Sequence, residues 1–409
     1  MITRAAVRVP RDASPRTAGA IVTVALDAIA GNWRMLKARL APDTECAAVV
    51  KADAYGLGAE QVAPALRRAG CRSFFVVTLD EGFELAPVLP GCSVYVLAPP
   101  LAGNESAIAA QGLIPTLNSL GDVEAWSAFA RASGRRLPAA LHADTGMRRL
   151  GLTPVEVAVL AGEADRLSGI DVRLFLSHLA CADEPHHPLN AKQLAAFIAA
   201  KSRLAAARVA PPASLANSSG IFLGSEYHFD LVRPGAALYG IAPVPDEPSP
   251  MAQVVRMQAK ILQVRDVDAP ETVGYGATHR FARPGRIATV AAGYADGYPR
   301  SLSNVGICVV GEHRAAVVGR VSMDLTTIDV TGIPENLVRP GTLVDLIGPL
   351  NPLDEVAAAA GTIGYELLTR LGRRAHRVWQ GDGARATPGS KSPGARARPK
   401  TRPDRGGAP

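Results

Sequence analysis

Lys51 stands directly after the apolar run Ala47–Val50 and opens the string KADAYGLG. A lysine at the end of a buried strand loses hydration, which disfavours its charged ammonium form. An amine held in that way is the nucleophile that condenses with an aldehyde, so Lys51 is a candidate for carrying a carbonyl cofactor. Tyr55, Gly56 and Gly58 follow at once. Together they provide a turn that allows close approach and a phenol that can bind phosphate. Farther on, Asn217 and Ser218 in ANSSG (216–220) read as the start of a short helix, where free N–H groups and the helix dipole favour an anion. Arg149 lies in HADTGMRRLGL (142–152), His178 follows an apolar run, Arg233 lies in LVRPGAALYG (231–240), and Tyr275 sits between glycines in VGYGATHR (273–280). Taken singly, these residues also have ordinary readings: a surface lysine, a helix cap, a core histidine, an ion-pair arginine and an exposed tyrosine.

Chemistry of this kind needs elements to position it. Eight short apolar runs occupy residues 46–240: Ala47–Val50, Phe74–Val77, Val94–Leu97, Ile114–Leu117, Ala139–His142, Arg173–Ser177, Ser214–Ala216 and Leu231–Val232. Ala-rich or amphipathic segments such as AEQVAPALRRAG and GDVEAWSAFARASG lie between them. Continuous apolar strands alternating with helices predict a parallel sheet, and eight units in this length predict a (β/α)8 TIM-type barrel. Sites in such barrels lie at the C-terminal ends of the strands, which is where Lys51 and His178 fall. A doubly wound sheet is the structural alternative, but no G-x-G-x-x-G follows the first strand. After Pro245 the runs VVRMQAKILQVRDV, RIATVAAGYADG, ICVVGEHRAAVVGRV and TLVDLIG are rich in β-branched residues and predict a separate β domain. The predicted division is a basic tail at 1–19, a strand at 20–30 joining the β domain, the barrel at 31–245, the β domain at 246–380 and a second basic tail at 381–409.

The net charge of +7 sits in those tails. Arg4, Arg8, Arg11 and Arg16 face only Asp12 in the first twenty residues. Seven basic side chains face Asp382 and Asp404 in the last stretch, which leaves the body close to neutral. The C-terminal tail has almost no apolar bulk to bury, and both tails are expected to be disordered. Cys46, Cys71, Cys92, Cys181 and Cys308 are odd in number and scattered, so neither a disulfide framework nor a zinc site is expected. No secretory h-region and no bilayer-length apolar stretch is present, and a cytoplasmic protein is expected. Neither nucleic acid nor membrane is an expected partner, and no metal is expected.

The string VVKADAYGLGA resembles the lysine motif of the alanine racemases, which depend on pyridoxal 5′-phosphate. HADTGMRRLGL, ANSSG, LVRPGAALYG, VGYGATHR, AGYADGYPR (292–300), GRVSMD (319–324) and AGTIGYELLTRLGRR (360–374) resemble further motifs of that family in its own order. The resemblance implies racemisation of alanine by two proton-transfer groups, Lys51 and Tyr275, with Tyr275 reaching in from a partner subunit of a homodimer. It implies that Lys51, Tyr55, His178, Asn217, Ser218, Arg233, Gly235, Ala236 and Tyr365 hold the cofactor. Arg149, Met323 and Asp324 would line the substrate pocket, with Tyr294 at its entrance and Asp296 in the same loop. An arginine beside the ring nitrogen, where many enzymes of this cofactor place a carboxylate, would keep that nitrogen unprotonated and discourage transamination.

The chain departs from the resemblance at one place. Many members carry a carbamylated lysine seven residues before the arginine matching Arg149, and here that residue is His142. The product would be D-alanine, for peptidoglycan or for breakdown. Alternatives are a racemase of broader specificity, a related decarboxylase and a non-catalytic carrier of the cofactor. The decarboxylase needs a catalytic cysteine in the β domain, and Cys308 lies in the apolar run ICVV.

Overall fold

The computed structural model describes residues 14–245 and 247–381. Seven parallel strands run in order from Ala48–Val49 through Ser73–Val76, Ser93–Val96, Ile114–Leu117, Leu137–His142 and Ile170–Leu176 to Ala213–Ser214. The eighth, Leu231–Val232, pairs in parallel with Glu45–Cys46, the segment that leads into the first. Two backbone bonds join it to the seventh, from Asp230 N–H to the Ala213 carbonyl (3.0 Å) and from Arg233 N–H to that of Ala216 (2.9 Å). The ring is thus a (β/α)8 barrel, as the strand spacing predicts. Ser73–Val76 and Ile114–Leu117 are buried at every position, as expected of strands covered on both faces.

Local chemistry fixes where the outer helices begin. Thr153 caps Pro154–Gly162 through a reciprocal box with Glu156, and Thr78 does the same with Glu81 for Leu79–Leu85. Ser119 caps Leu120–Ala132. Helix Ala59–Ala69 turns Val62, Ala63 and Leu66 inward while Arg67 and Arg68 close its last turn, a favourable place for positive charge.

The β domain is organised on the long strand Val255–Val267, which pairs with Ala20–Ala25, Leu343–Ile347 and Gly285–Val290. Ala20–Ala25 also pairs in parallel with His376–Gln380. Both ends of the described chain therefore meet in one sheet, and helix Leu26–Ala38 passes directly from that sheet onto the barrel. Buried Asn32 ties the two parts: its amide donates to the carbonyls of Leu238 (3.2 Å) and Ala252 (2.9 Å) and accepts from Ala252 N–H (2.8 Å).

Residues 14–19 differ from the expected tail. They form a turn whose carbonyls at Pro15 and Arg16 accept from Lys260 Nζ at 2.8 and 2.6 Å, a cationic anchor that composition alone does not reveal. The expectation of disorder for 1–13 and 382–409 lies outside the described residues.

Candidate active site

Lys51 begins an unusual turn. Ala52, Asp53, Ala54 and Tyr55 all have φ between 52° and 56°, and Gly56 follows at 82°. Each L-residue in this left-handed conformation costs about 1–2 kcal/mol, so the turn must be held from outside. Gly56 N–H closes onto the Ala52 carbonyl (2.7 Å) and Gly58 N–H onto that of Asp53 (2.9 Å). Glu81 accepts from Ala52 N–H at 2.6 Å while its other oxygen takes the N–H groups of Val77 (2.8 Å) and Thr78 (3.1 Å). Asp53 Oδ1 accepts from Ala59 N–H at 2.7 Å. Gly56 has a second reason to be glycine: a Cβ there would lie 2.5 Å from the Leu368 carbonyl oxygen. The C-terminal segment adds Arg377, donating to the Gly56 carbonyl, and Trp379, donating to that of Leu57 (2.8 Å).

Above the barrel strands lies a cavity of about 530 Å³. It gathers Lys51, Tyr55, Arg149, His178, Asn217, Ser218, Arg233, Gly235, Ala236 and Tyr365, together with His142. Ile363, Glu366 and Thr369, on and beside the short helix Gly364–Thr369, join Tyr365 in closing one wall.

Tyr55 is buried with its ring 4.6 Å from that of Tyr239 and 6.1 Å from that of Tyr365. A Cβ on residue 235 would fall 2.4 Å from the Tyr55 hydroxyl, so glycine leaves room for that phenol. Gly235 is among the residues that the resemblance gives to the cofactor, a role its backbone N–H would fill at a phosphate. That N–H donates instead to Ser218 Oγ (2.9 Å), as does that of Ala237 (3.1 Å). Accepting two bonds leaves the Ser218 hydroxyl proton free to donate to an anion. Asn217 caps the following turn through Gly220 N–H (2.8 Å).

Positive groups dominate the electrostatics. Arg233 is buried, donates to the Ser214 hydroxyl and to the Ser177 and Leu215 carbonyls, and has no ion pair with a carboxylate among the described residues. Burial brings its pKa down to about 10, so it stays charged at neutral pH. Its Nε has no partner among the described residues. Burial, and then the Arg149 charge, lower the pKa of Lys51, while Glu81 opposes this. His178 falls to about 3 through burial and the neighbouring Arg233, Arg149 and Lys51 charges, and is neutral. The carboxylate on the cavity wall, Glu366, is already engaged by Thr362 and by Arg370 (2.6 Å).

Tyr275, Met323, Asp324 and Tyr294 are not brought to this cavity. Tyr275 is 73% exposed and Met323 53% exposed on the β domain. Arg374 ties the neighbouring loops together, donating to Asp324 (2.5 Å) and to both oxygens of Asp296 (2.8 and 2.6 Å). Cys308 is fully buried 3.6 Å from the Tyr298 hydroxyl, with its pKa pushed up to about 12, and offers no accessible thiol. Sequence reasoning did not find Glu81 or Asn118. Glu81 was visible only as the third residue after Thr78, which marks a helix cap. Asn118 sits beside His142 only because adjacent strands pair in register.

The cavity's lining can hold a phosphorylated ring aldehyde. It has a lysine of lowered pKa, a free hydroxyl beside a one-turn helix, and a buried guanidinium whose Nε donor is unused among the described residues.

Two family profiles match the chain: alanine racemase, N-terminal domain, over residues 24–243, and alanine racemase, C-terminal domain, over residues 254–379. An alanine racemase from Rhodospirillum rubrum is 52% identical over 365 residues, covering 89% of this chain and 96% of the relative. A catabolic alanine racemase from Mesorhizobium japonicum is 48% identical, covering 90% and 95%. The crystal structure of alanine racemase from Bartonella henselae, with covalently bound pyridoxal phosphate, superposes with a TM-score of 0.84 at 42% identity, covering 89% of this chain and all of that one.

Proposed function

Because this chain belongs to the alanine racemase family, and is therefore an isomerase that racemises alanine, we propose that it does so with pyridoxal 5′-phosphate held in the barrel cavity. Lys51 and the Tyr275 of a second copy move the α-proton. One observation carries this reading: Lys51, Arg149 and Arg233 converge on a single cavity, and none has an ion-pair partner among the described residues. Arg233 is buried and Lys51 half-buried, while Arg149 stands exposed at the cavity's edge. A buried uncompensated cation is costly, and a dianionic phosphate with a substrate carboxylate would balance this cluster of charge.

Lys51, Tyr55, Ser218, Ala236 and Tyr365 would hold the cofactor by its aldehyde and phosphate ends, with Arg233 at the ring nitrogen and His178 against the ring. When bound, pyridoxal phosphate supplies an electron sink that makes the α-proton of the substrate removable. The chain's own residues do the rest. Arg233 offers donors and no acceptor, so a ring nitrogen beside it would accept a hydrogen bond and stay unprotonated. His178, held neutral by its surroundings, adds no further charge to a crowded cationic site. Lys51, its ammonium disfavoured by burial, takes or returns a proton at one face of the α-carbon. Racemisation requires a second group on the opposite face. Tyr275 lies exposed and outside its own cavity, so the reading gives it to the cavity of a second copy in a homodimer. Met323 and Asp324, also exposed on the β domain, would accompany it. Arg149 would take the substrate carboxylate.

Borohydride reduction followed by peptide mapping tests the attachment, and the pyridoxyl group should be found on Lys51. A label on another lysine overturns the assignment. Lys51→Ala and Tyr275→Phe subunits, each inactive alone, should recover activity when mixed, because one site of a mixed dimer keeps both groups. Proven mixed dimers without recovery would remove the shared-site geometry.

A further inference from the structure

His142 closes the strand Leu137–His142, and Asn118 follows the neighbouring strand Ile114–Leu117, whose Leu117 pairs with Leu141. This register sets the two side chains together, with His142 Nδ1 2.7 Å from Asn118 Oδ1. The orientation of the amide is decided by its other end. Asn118 Nδ2 contacts the carbonyl oxygens of Thr116 (2.9 Å) and Leu97 (3.5 Å). Carbonyls only accept, so that end is the NH2 group and the oxygen faces the imidazole. Nδ1 must then carry the proton, and Nε2 is left as a bare lone pair.

Nε2 has no protein partner among the described residues, and its ring lines the cavity that Arg149 also lines. The loop bearing Arg149 is rooted on this same histidine. Leu152 N–H returns to the His142 carbonyl (2.7 Å), and Asp144 Oδ1 gathers the N–H groups of Gly146 (2.9 Å) and Arg148 (3.0 Å). Arg149 itself makes no hydrogen bond or ion pair among the described residues. The remaining charged neighbours of the ring are Arg233, whose two Nη groups are held by Ser214, Ser177 and Leu215, and Asp144, whose Oδ1 is held by its own loop.

We propose that His142, fixed as its Nδ1–H tautomer by Asn118, is the positioning residue for Arg149, accepting a guanidinium N–H at Nε2 so that the rest of the fork is presented to the substrate carboxylate. The inference rests on the reading of Arg149 given above. It assigns the orienting task to a neutral acceptor that is part of the chain and needs no carbon dioxide.

The test uses the full-length holoenzyme and propionate, which is alanine without its amine, titrated by calorimetry. His142→Gln keeps an acceptor near the Nε2 position, whereas His142→Asn keeps only the part nearer Nδ1. Propionate affinity should stay within about twofold of wild type for H142Q and fall about three- to tenfold for H142N, the effect of one net hydrogen bond. Equal affinities for the two variants overturn the proposal. Arg149→Ala separates it from the reading beneath it: if that change leaves propionate binding intact, the role of Arg149 fails and the proposal fails with it. If R149A binds weakly while H142N binds like wild type, only the role of His142 falls. Nitrogen-15 spectra of the wild-type imidazoles give a readout free of any variant. They should show His142 protonated at Nδ1 and bare at Nε2 at neutral pH, and a protonated Nε2 refutes the proposal.

Discussion

Replacing Arg233 by methionine should separate stability from function. The guanidinium is buried, and its pKa falls from 12.5 to about 10, so holding it charged costs roughly 3 kcal/mol relative to water. The sign follows from linkage: below about pH 10 both folded and unfolded chains carry the charge, and the cost is fully present. It is relieved only as pH rises from there toward 12.5. Arg233→Met removes that cost and keeps the side chain's length. Against it stand the Ser177 and Leu215 carbonyls and the Ser214 hydroxyl, which lose their donors, at about 1–3 kcal/mol for a buried acceptor left unmet. The Leu215 contact is marginal at 3.5 Å and the Ser214 hydroxyl can turn to donate elsewhere, so the three together fall at the low end, about 3 kcal/mol, and the two effects nearly offset. Denaturant unfolding of the cofactor-free protein at neutral pH and fixed protein concentration should therefore give a free energy within ~2 kcal/mol of wild type. Racemase activity should fall by about 10² or more if Arg233 partners the ring nitrogen as proposed above. A loss of stability above ~4 kcal/mol would refute the argument, since it would make Arg233 a structural keystone and not an uncompensated charge awaiting a ligand.

Glu81→Gln leaves one of three backbone N–H groups facing an NH2, and should lower unfolding free energy by about 1–3 kcal/mol together with cofactor affinity; unchanged melting would deny that Glu81 holds the lysine turn. Gly56→Ala sets a Cβ 2.5 Å from the Leu368 carbonyl and should cost a further ~1–3 kcal/mol, read by the same denaturation, whereas a neutral effect would mean the contact is slack. His142 and His178 have folded pKa values of about 4 and about 3, below the ordinary 6.5. The unfolded chain thus binds protons that the fold refuses, and stability should decline as pH falls from about 6.5 toward 4, by up to about 1.4 kcal/mol per pH unit for each histidine. A flat pH–stability curve across that window would show that both imidazoles accept protons in the fold.

The barrel was legible because its strands are buried on both faces and so read as short apolar runs. Lys51 was legible because a charged residue ending such a run needs a reason. The turn after it was not. Nothing in Ala52 and Ala54 favours positive φ, and anchors that depend on the folded turn, from Glu81, Ala59, Arg377 and Trp379, hold it. Asn118 was hidden for a similar reason, since its amide acquires meaning from the register of two strands and from carbonyls at Thr116 and Leu97. The role that the resemblance gives Gly235 would use its N–H, which goes instead to Ser218, a competition that no spacing rule reveals. Tyr275 remains a reading from resemblance, because its own chain leaves it facing solvent.

Exchange of the α-proton with solvent by Tyr275→Phe tests the two-group account most directly. The exposed side chain makes few contacts, so the variant should fold and bind cofactor as wild type does, while racemisation falls about 10²–10⁴-fold. In heavy water, deuterium should still enter rapidly from the enantiomer that Lys51 serves, which the family resemblance gives as D-alanine, and far more slowly from L-alanine. Equal exchange from both enantiomers, or racemisation at the wild-type rate, would contradict the assignment of Lys51 and Tyr275 to opposite faces of the substrate.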